Sequence, residues 1–186
     1  MPRQRLRTFW KRRDQKAGPG EGSYGLFEFP ARPGQPRLIS LSPDAKFVDI
    51  IAVHGLGGGW RTTWSSNNSE DSAIWLRDRL PEVLARINVR PRIRAFGYDA
   101  SFVFTSSTSD LESCAQDLLT RIHLARQTEE EKQAPIIFIA HSLGGLLVKL
   151  MTNIIKIFSA KQPVVYSLRF HFTVPMLPLG PCWVLA

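Results

Sequence analysis

The chain has 186 residues, 44% of them apolar, which is enough for one domain with a hydrophobic core. Its net charge of +8 sits at the two ends, since residues 1–20 carry +6, residues 21–131 carry −3 and residues 132–186 carry +5. Because the body of the chain is mildly acidic, the isoelectric point near 10 does not indicate a nucleic-acid-binding domain.

Residues 1–21 are predicted to form a basic flexible arm, rich in arginine and followed by a Gly/Pro stretch. Besides a plain solvated tail, three functions fit such an arm. It could be an organelle-targeting presequence, it could attach to an anionic membrane at about 1 kcal/mol per basic residue, or it could contact nucleic acid with strong salt dependence. We do not expect nucleic acid to be the main partner.

Cysteine usage and hydropathy narrow the location. Cys114 and Cys182, with no secretory leader ahead of them, predict no disulfide framework, so an intracellular and reducing compartment is expected rather than secretion. No run of about 20 uncharged apolar residues occurs, and no transmembrane helix is predicted.

The first predicted elements after the arm are strands. Tyr24–Phe29 and Arg37–Leu41 predict two short strands, and Lys46–His54 predicts a longer buried one. A glycine-rich turn follows directly, with the sequence His54-Gly55-Leu56-Gly57-Gly58-Gly59. Such a turn lets backbone amides point at a ligand without steric cost. It is not a P-loop, because no lysine follows at the required spacing, and the dinucleotide fingerprint does not fit either.

The middle of the chain alternates between helix and strand. A helix is predicted from Asp71, interrupted at Pro81 and resumed as far as Ile87, and a strand is predicted over Arg92–Tyr98. Asp99 after this strand is interpreted as a turn or helix-cap residue. Hydrolases with a serine elbow place their acid later than the serine, so Asp99 is not assigned as a catalytic acid.

A capping box and a loop are predicted next. Ser109–Glu112 fits the pattern S-x-x-E, and apolar residues at helical spacing continue it as an amphipathic helix to Ala125. The acidic run Glu129–Lys132 is predicted to be a solvated loop. The alternation of strands and helices predicts a mostly parallel sheet with helices on both faces.

The stretch Pro135–Leu150 carries the functional interpretation. Ile136–Ala140 is a short apolar run typical of a strand buried on both faces, and helical spacing resumes after Gly144. Ser142 therefore falls on a strand–turn–helix, the arrangement of the nucleophile elbow G-x-S-x-G, with Ala140 in place of the first glycine. The alternative is a serine that only caps a helix and has no chemistry.

If the elbow interpretation holds, the site residues follow from it. Ser142 is the nucleophile, and the oxyanion-hole amides are those of Leu56 in the glycine loop and Leu143 after the serine. His54 is expected to be a positioning residue rather than a base. The residues expected to support the geometry of the site are His54, Gly55, Gly57, His141 and Gly144.

Three segments together resemble the lipase-like α/β-hydrolases of the serine-active-site and inositol-deacylase type: Val53–Gly58, Phe96–Ala100 and Ala140–Gly145. Similar domains stand at the N-terminus of fungal NACHT and ankyrin-repeat proteins. The resemblance covers about residues 22–155 and implies a serine esterase or lipase acting on acyl esters of phospholipids or lipid anchors, with no metal or cofactor. Members of the serine-active-site group are associated with mitochondria and the endoplasmic reticulum, which adds interest to an anionic membrane surface as one possible partner of the basic arm.

The chain also departs from this family after the elbow helix. The family continues to a Gly-Thr-Pro-His-type turn and then to the acid and histidine of its triad, whereas this chain has no Asp or Glu after Glu131 and only His171 as a later histidine. Val164–Val174 alternates apolar and polar residues and predicts either an extra strand, with His171 turned away from its buried face, or part of a truncated or mis-spliced end.

The sequence thus predicts an α/β fold that is an incomplete α/β-hydrolase, in three parts: arm 1–21, truncated hydrolase domain 22–158 and atypical tail 159–186. Its predicted function is a serine hydrolase on lipid or acyl-ester substrates, impaired because the triad acid and base are missing. The alternative is a catalytically inactive interaction or localisation module. The expected location is cytoplasmic, or associated with mitochondria or the endoplasmic reticulum.

Overall fold

The computed structural model describes residues 24–29, 42–66, 73–100, 108–161 and 183–185. Within these ranges the chain forms one mixed sheet whose strands stand in the order β1-β3-β2-β4-β5. The strands are β1 Gly25–Glu28, β2 Lys46–Val53, β3 Val89–Gly97, β4 Ile136–His141 and β5 Trp183–Leu185. The helices are α1 Trp75–Asp78, α2 Leu80–Ala85, α3 Thr108–Leu124, α4 Glu129–Gln133 and α5 Leu143–Lys161, and a 3-10 turn spans Thr62–Trp64.

The centre of the sheet is parallel and its edges are antiparallel. β2 pairs in parallel with both β3 and β4, whereas β1 runs antiparallel to β3 and β5 antiparallel to β4. The expectation of a mostly parallel sheet therefore applies only to the three central strands. Helical crossovers connect those three, and this connection requires parallel neighbours, whereas the edge strands lie outside that alternation.

Helices cover both faces of the sheet, as the alternation of elements predicts. On one face, α3 and α5 pack against Val53, Phe96 and Phe138. On the other face, the 3-10 turn and the helices α1 and α2 pack against Ile50, Ala52 and Ile139. The strand residues of the two clusters alternate along β2, which explains why its sequence is apolar almost throughout.

Several predicted boundaries differ from the structure. The break in the helix predicted from Asp71 lies at Arg79 and not at Pro81, which belongs to the first turn of α2, where a missing N–H costs nothing. α3 already includes Thr108, so Ser109 is not its cap. The capping box lies instead at Thr128, whose hydroxyl accepts from Glu131, and residues Glu129–Gln133 form a short helix where we expected a loop.

A buried ionic cluster lies towards the amino-terminal ends of the parallel strands. Asp49 is 1% exposed and accepts hydrogen bonds from Arg92 at 2.6 and 2.9 Å and from Arg126 at 2.8 Å. Arg126 also donates to the carbonyl oxygen of Ala134 at 2.6 Å, and Arg92 contacts Glu131. Both side chains that bond the buried Asp49 carboxylate are arginines, so its charge is compensated. These bonds link β2, β3 and the segment around α4.

Parts of the predicted organisation lie outside the described residues. These are the arm 1–21, the short strand expected at Arg37–Leu41 and the alternating segment Val164–Val174. None of the helices described is long and apolar enough to cross a membrane.

Candidate active site

The glycine-rich turn and the serine turn lie side by side at one edge of the sheet. β2 and β4 are parallel neighbours in which Val53 pairs with Ala140, so both strands end at the same level. Gly55 follows two residues after Val53, and Ser142 follows two residues after Ala140. The carboxyl ends of parallel strands are the usual place for ligands in open α/β sheets.

Ser142 has a left-handed backbone conformation, which differs from that of a helix cap. It is exposed, it stands between the last residue of β4 and the first of α5, and its φ is +52°. Residues other than glycine seldom adopt this left-handed conformation, which costs roughly 1–2 kcal/mol. A helix N-cap residue has extended backbone instead, so the interpretation of Ser142 as a simple cap does not fit.

Two glycines allow the turns to touch. A Cβ atom on Gly55 would lie 2.5 Å from the carbonyl oxygen of His141 and 2.8 Å from Cβ of Ser142. A Cβ atom on Gly144 would collide with the carbonyl oxygen of Val53 and lie 2.6 Å from that of His54. Only hydrogen fits at both positions, because the opposing atoms are mostly backbone, so each turn holds the other in place.

The two predicted oxyanion amides belong to the two turns that touch, Leu143 to the serine turn and Leu56 to the glycine loop. The backbone nitrogen of Leu143 is 3.2 Å from the position that a Cβ of Gly55 would take, and it begins α5, where helix amides face outwards. In the glycine loop the amides of Gly58 and Gly59 are engaged within the loop, with Gly55 O at 3.1 Å and Thr63 Oγ1 at 3.1 Å. Among the described residues the amide of Leu56 has no such partner.

His54 is held inside the protein by Tyr98. The imidazole is 1% exposed and stacks on the Tyr98 ring at 4.5 Å between ring centroids. Nδ1 lies 3.0 Å from the carbonyl oxygen of Gly55, and Nε2 accepts a weak hydrogen bond of 3.4 Å from the backbone N–H of Tyr98. Since both ring nitrogens are engaged with backbone groups, His54 is arranged to position the loop rather than to remove a proton from Ser142.

Burial sets the protonation of this cluster. It lowers the pKa of His54, and the nearby His141 lowers it further, while the bond to the Gly55 carbonyl and the charge of Asp99 oppose the change. Burial also raises the pKa of the Tyr98 phenol and raises the pKa of the Cys114 thiol to about 12. At neutral pH all three groups are therefore uncharged.

The residues that could act as an acid or base are arranged differently from a triad. Within the described ranges no side chain forms a hydrogen bond to the hydroxyl of Ser142. Asp99 follows β3 at the same edge of the sheet, where it interacts electrostatically with His54, and its backbone amide contacts the Tyr24 phenol. His141 lies directly before the serine and is half-buried.

Aromatic side chains hold the far end of the glycine loop. Trp60 stacks on Phe27 of β1 at 4.6 Å, and Trp64 is buried among the residues of the second face. Thr63 accepts from the Gly59 amide and lies against Gly58. The loop is thus fixed at both ends.

Tyr98 and Thr63 are the site residues that the sequence did not single out for a role. Tyr98 was noted as part of a resembling segment, and its place directly after a buried strand was the available signal. Thr63 carries no recognisable signal. Its contact with the glycines depends on the path of the loop.

Comparisons with family models, with curated proteins and with solved structures find no match to this chain.

Proposed function

We propose that this chain is a serine hydrolase domain of the lipase or esterase type, acting on acyl esters. The single observation that carries the proposal is Ser142, exposed and left-handed at a strand-to-helix turn that touches the glycine loop. A strained serine beside unengaged amides is the arrangement that acyl transfer requires.

The reaction would use these groups in two steps. Ser142 Oγ attacks the ester carbonyl carbon as its proton passes to a base, and the carbonyl oxygen becomes an oxyanion that accepts from the amides of Leu56 and Leu143. The intermediate then expels the alcohol, which takes up the proton, and leaves an acyl-serine. Water hydrolyses that ester in the second step and restores the hydroxyl.

The base and the acid that orients it are proposed to come from outside the described residues. His54 is occupied on both nitrogens, and no described side chain bonds the serine hydroxyl. With the described groups alone, the rate would be limited to what the oxyanion amides and binding provide, roughly 10³–10⁴ over water in the worked serine-protease case. We therefore propose an impaired activity unless such a base is supplied.

A fluorophosphonate probe tests the proposal directly, because its phosphorus reacts with an activated serine and mimics the charged intermediate. The intact chain should be labelled at one site, and Ser142→Ala should abolish labelling while the fold is retained. Ser113→Ala is the matched control, since this exposed serine donates only to the carbonyl oxygen of Ser109 on α3 and should label like the parent. Absence of labelling in correctly folded protein would overturn the hydrolase proposal.

A second candidate is an inactive module that keeps the scaffold for docking or localisation. The observation that favours it is the absence, among the described residues, of a base bonded to Ser142. Protein that folds, resists the probe and binds anionic vesicles through the arm would support this candidate. The resemblance to lipase-like hydrolases of the serine-active-site and inositol-deacylase type is compatible with both.

A further inference from the structure

Tyr98 contacts His54 through three separate interactions. Its hydroxyl donates to the carbonyl oxygen of His54 at 2.8 Å, its backbone N–H donates to Nε2 at 3.4 Å, and the two rings stack. Tyr98 itself is 4% exposed. A hydroxyl and an amide from one residue thus hold both the main chain and the ring of another.

These contacts select one tautomer of His54. Because Nε2 accepts from an N–H group, it must carry a lone pair, and the proton of the neutral ring is therefore on Nδ1. Nδ1 then donates to the carbonyl oxygen of Gly55 at 3.0 Å. Without the bond from the backbone N–H of Tyr98, the ring could carry its proton on Nε2, and the bond from Nδ1 to Gly55 would be lost.

The orientation of one peptide group follows from that bond. The carbonyl oxygen of Gly55 faces His54 and also accepts from the Gly58 amide at 3.1 Å. In a trans peptide the N–H of the next residue points away from the carbonyl, and the described chain has no cis peptide. The amide of Leu56 therefore points away from the buried imidazole.

We propose that Tyr98 is a positioning residue for the oxyanion hole, acting through His54 to keep the Leu56 amide turned towards the site. The inference rests on the proposed hydrolase function. The proposal adds Tyr98, which follows β3, to a site otherwise formed by the turns that follow β2 and β4. Tyr98 is not itself in contact with the reacting atoms, so its removal should lower the rate without changing binding.

The same geometry predicts an acid limit. A second proton on His54 would occupy Nε2, so that the N–H of Nε2 and the backbone N–H of Tyr98 would face each other and displace the ring from its place beside Gly55. The titratable groups that face His54 are Tyr98 and Asp99 after β3 and His141 from β4, and Cys114 of α3 faces Tyr98. Labelling should therefore fall as the pH drops through the lowered pKa of His54.

The test is Tyr98→Phe, which keeps the stacked ring and removes only the donated hydroxyl. Tyr24→Phe is the matched control, because this phenol lies at the same edge, is 57% exposed and contacts the Asp99 backbone instead. We expect the saturating rate of fluorophosphonate labelling to fall about tenfold in Tyr98→Phe, less than the 10²–10³ lost with an oxyanion donor. Half-saturation should not change, and Tyr24→Phe should match the parent.

The outcomes separate this inference from the proposed function. A parent chain that labels, with Tyr98→Phe labelling equally fast, would refute the positioning role and leave the hydrolase intact. A parent that does not label refutes the hydrolase. In that case ¹⁵N NMR of the Leu56 amide still decides the geometry. A shifted Leu56 amide in Tyr98→Phe, with the His54 tautomer kept by the unchanged backbone N–H of residue 98, would support it, and an unshifted amide would overturn it.

Discussion

Gly144→Ala is expected to damage both stability and reactivity, because the two turns of the site touch at this residue. The added Cβ would collide with the carbonyl oxygen of Val53 and lie 2.6 Å from that of His54, about 0.8 Å short of an ordinary contact. These are backbone atoms at the end of the central strand β2 and directly after it, and they cannot rotate away. Overpacking of this kind costs about 1–3 kcal/mol, and we expect a value near the upper limit.

Thermal denaturation and fluorophosphonate labelling measure the two consequences. For a chain of this size about 3 kcal/mol corresponds to a fall of roughly 6–12 °C in Tm, and separation of the Leu143 amide from the glycine loop should slow labelling by about 10² or more.

Gly145→Ala is the matched control, since this half-buried position lies in α5 and alanine favours helix by about 1 kcal/mol. If Gly144→Ala kept the parent's stability to within about 0.5 kcal/mol and labelled equally fast, the contact between the turns would be wrong.

Two further predictions concern the ionic cluster at the opposite end of the sheet. Asp49→Ala should lower the free energy of unfolding by about 3–5 kcal/mol in urea denaturation, because it leaves Arg126 buried without its bonded anion and Arg92 with Glu131 alone. A loss below about 1 kcal/mol would contradict the buried pairing. The pKa of Glu131 is lowered to about 2, mainly by hydrogen bonds from the amides of Thr128 and Gln127 and further by Arg92. The stabilisation that the ionised Glu131 provides is therefore complete above about pH 4.3 and is lost as the pH falls towards 2. Urea midpoints measured from pH 6 to pH 2 should fall less steeply in Glu131→Gln than in the parent, and parallel curves would argue against this assignment.

The strands and the position of the serine could be read from the sequence because they depend on local patterns. Continuous apolar runs identified β2 and β4, and helical spacing identified α3 and α5, since a side chain's burial is set by the period of the element that carries it. The same local reading placed Ser142 between a buried strand and a helix. It failed at Thr128, where a capping box starts a helix within an acidic run that resembled a loop.

Only the tertiary structure decided which residues meet around that serine. Gly55 and Gly144 approach backbone that follows or ends a different strand, and Tyr98 contacts His54 from the end of a third strand. The left-handed φ of Ser142 is seen only in the structure that these contacts hold in place. The antiparallel pairing of the edge strands was likewise undetermined, although the strand at Tyr24–Phe29 was itself predicted, because the paired residues lie far apart in the sequence. Local propensity fixes what a segment is, whereas long-range packing fixes what it faces.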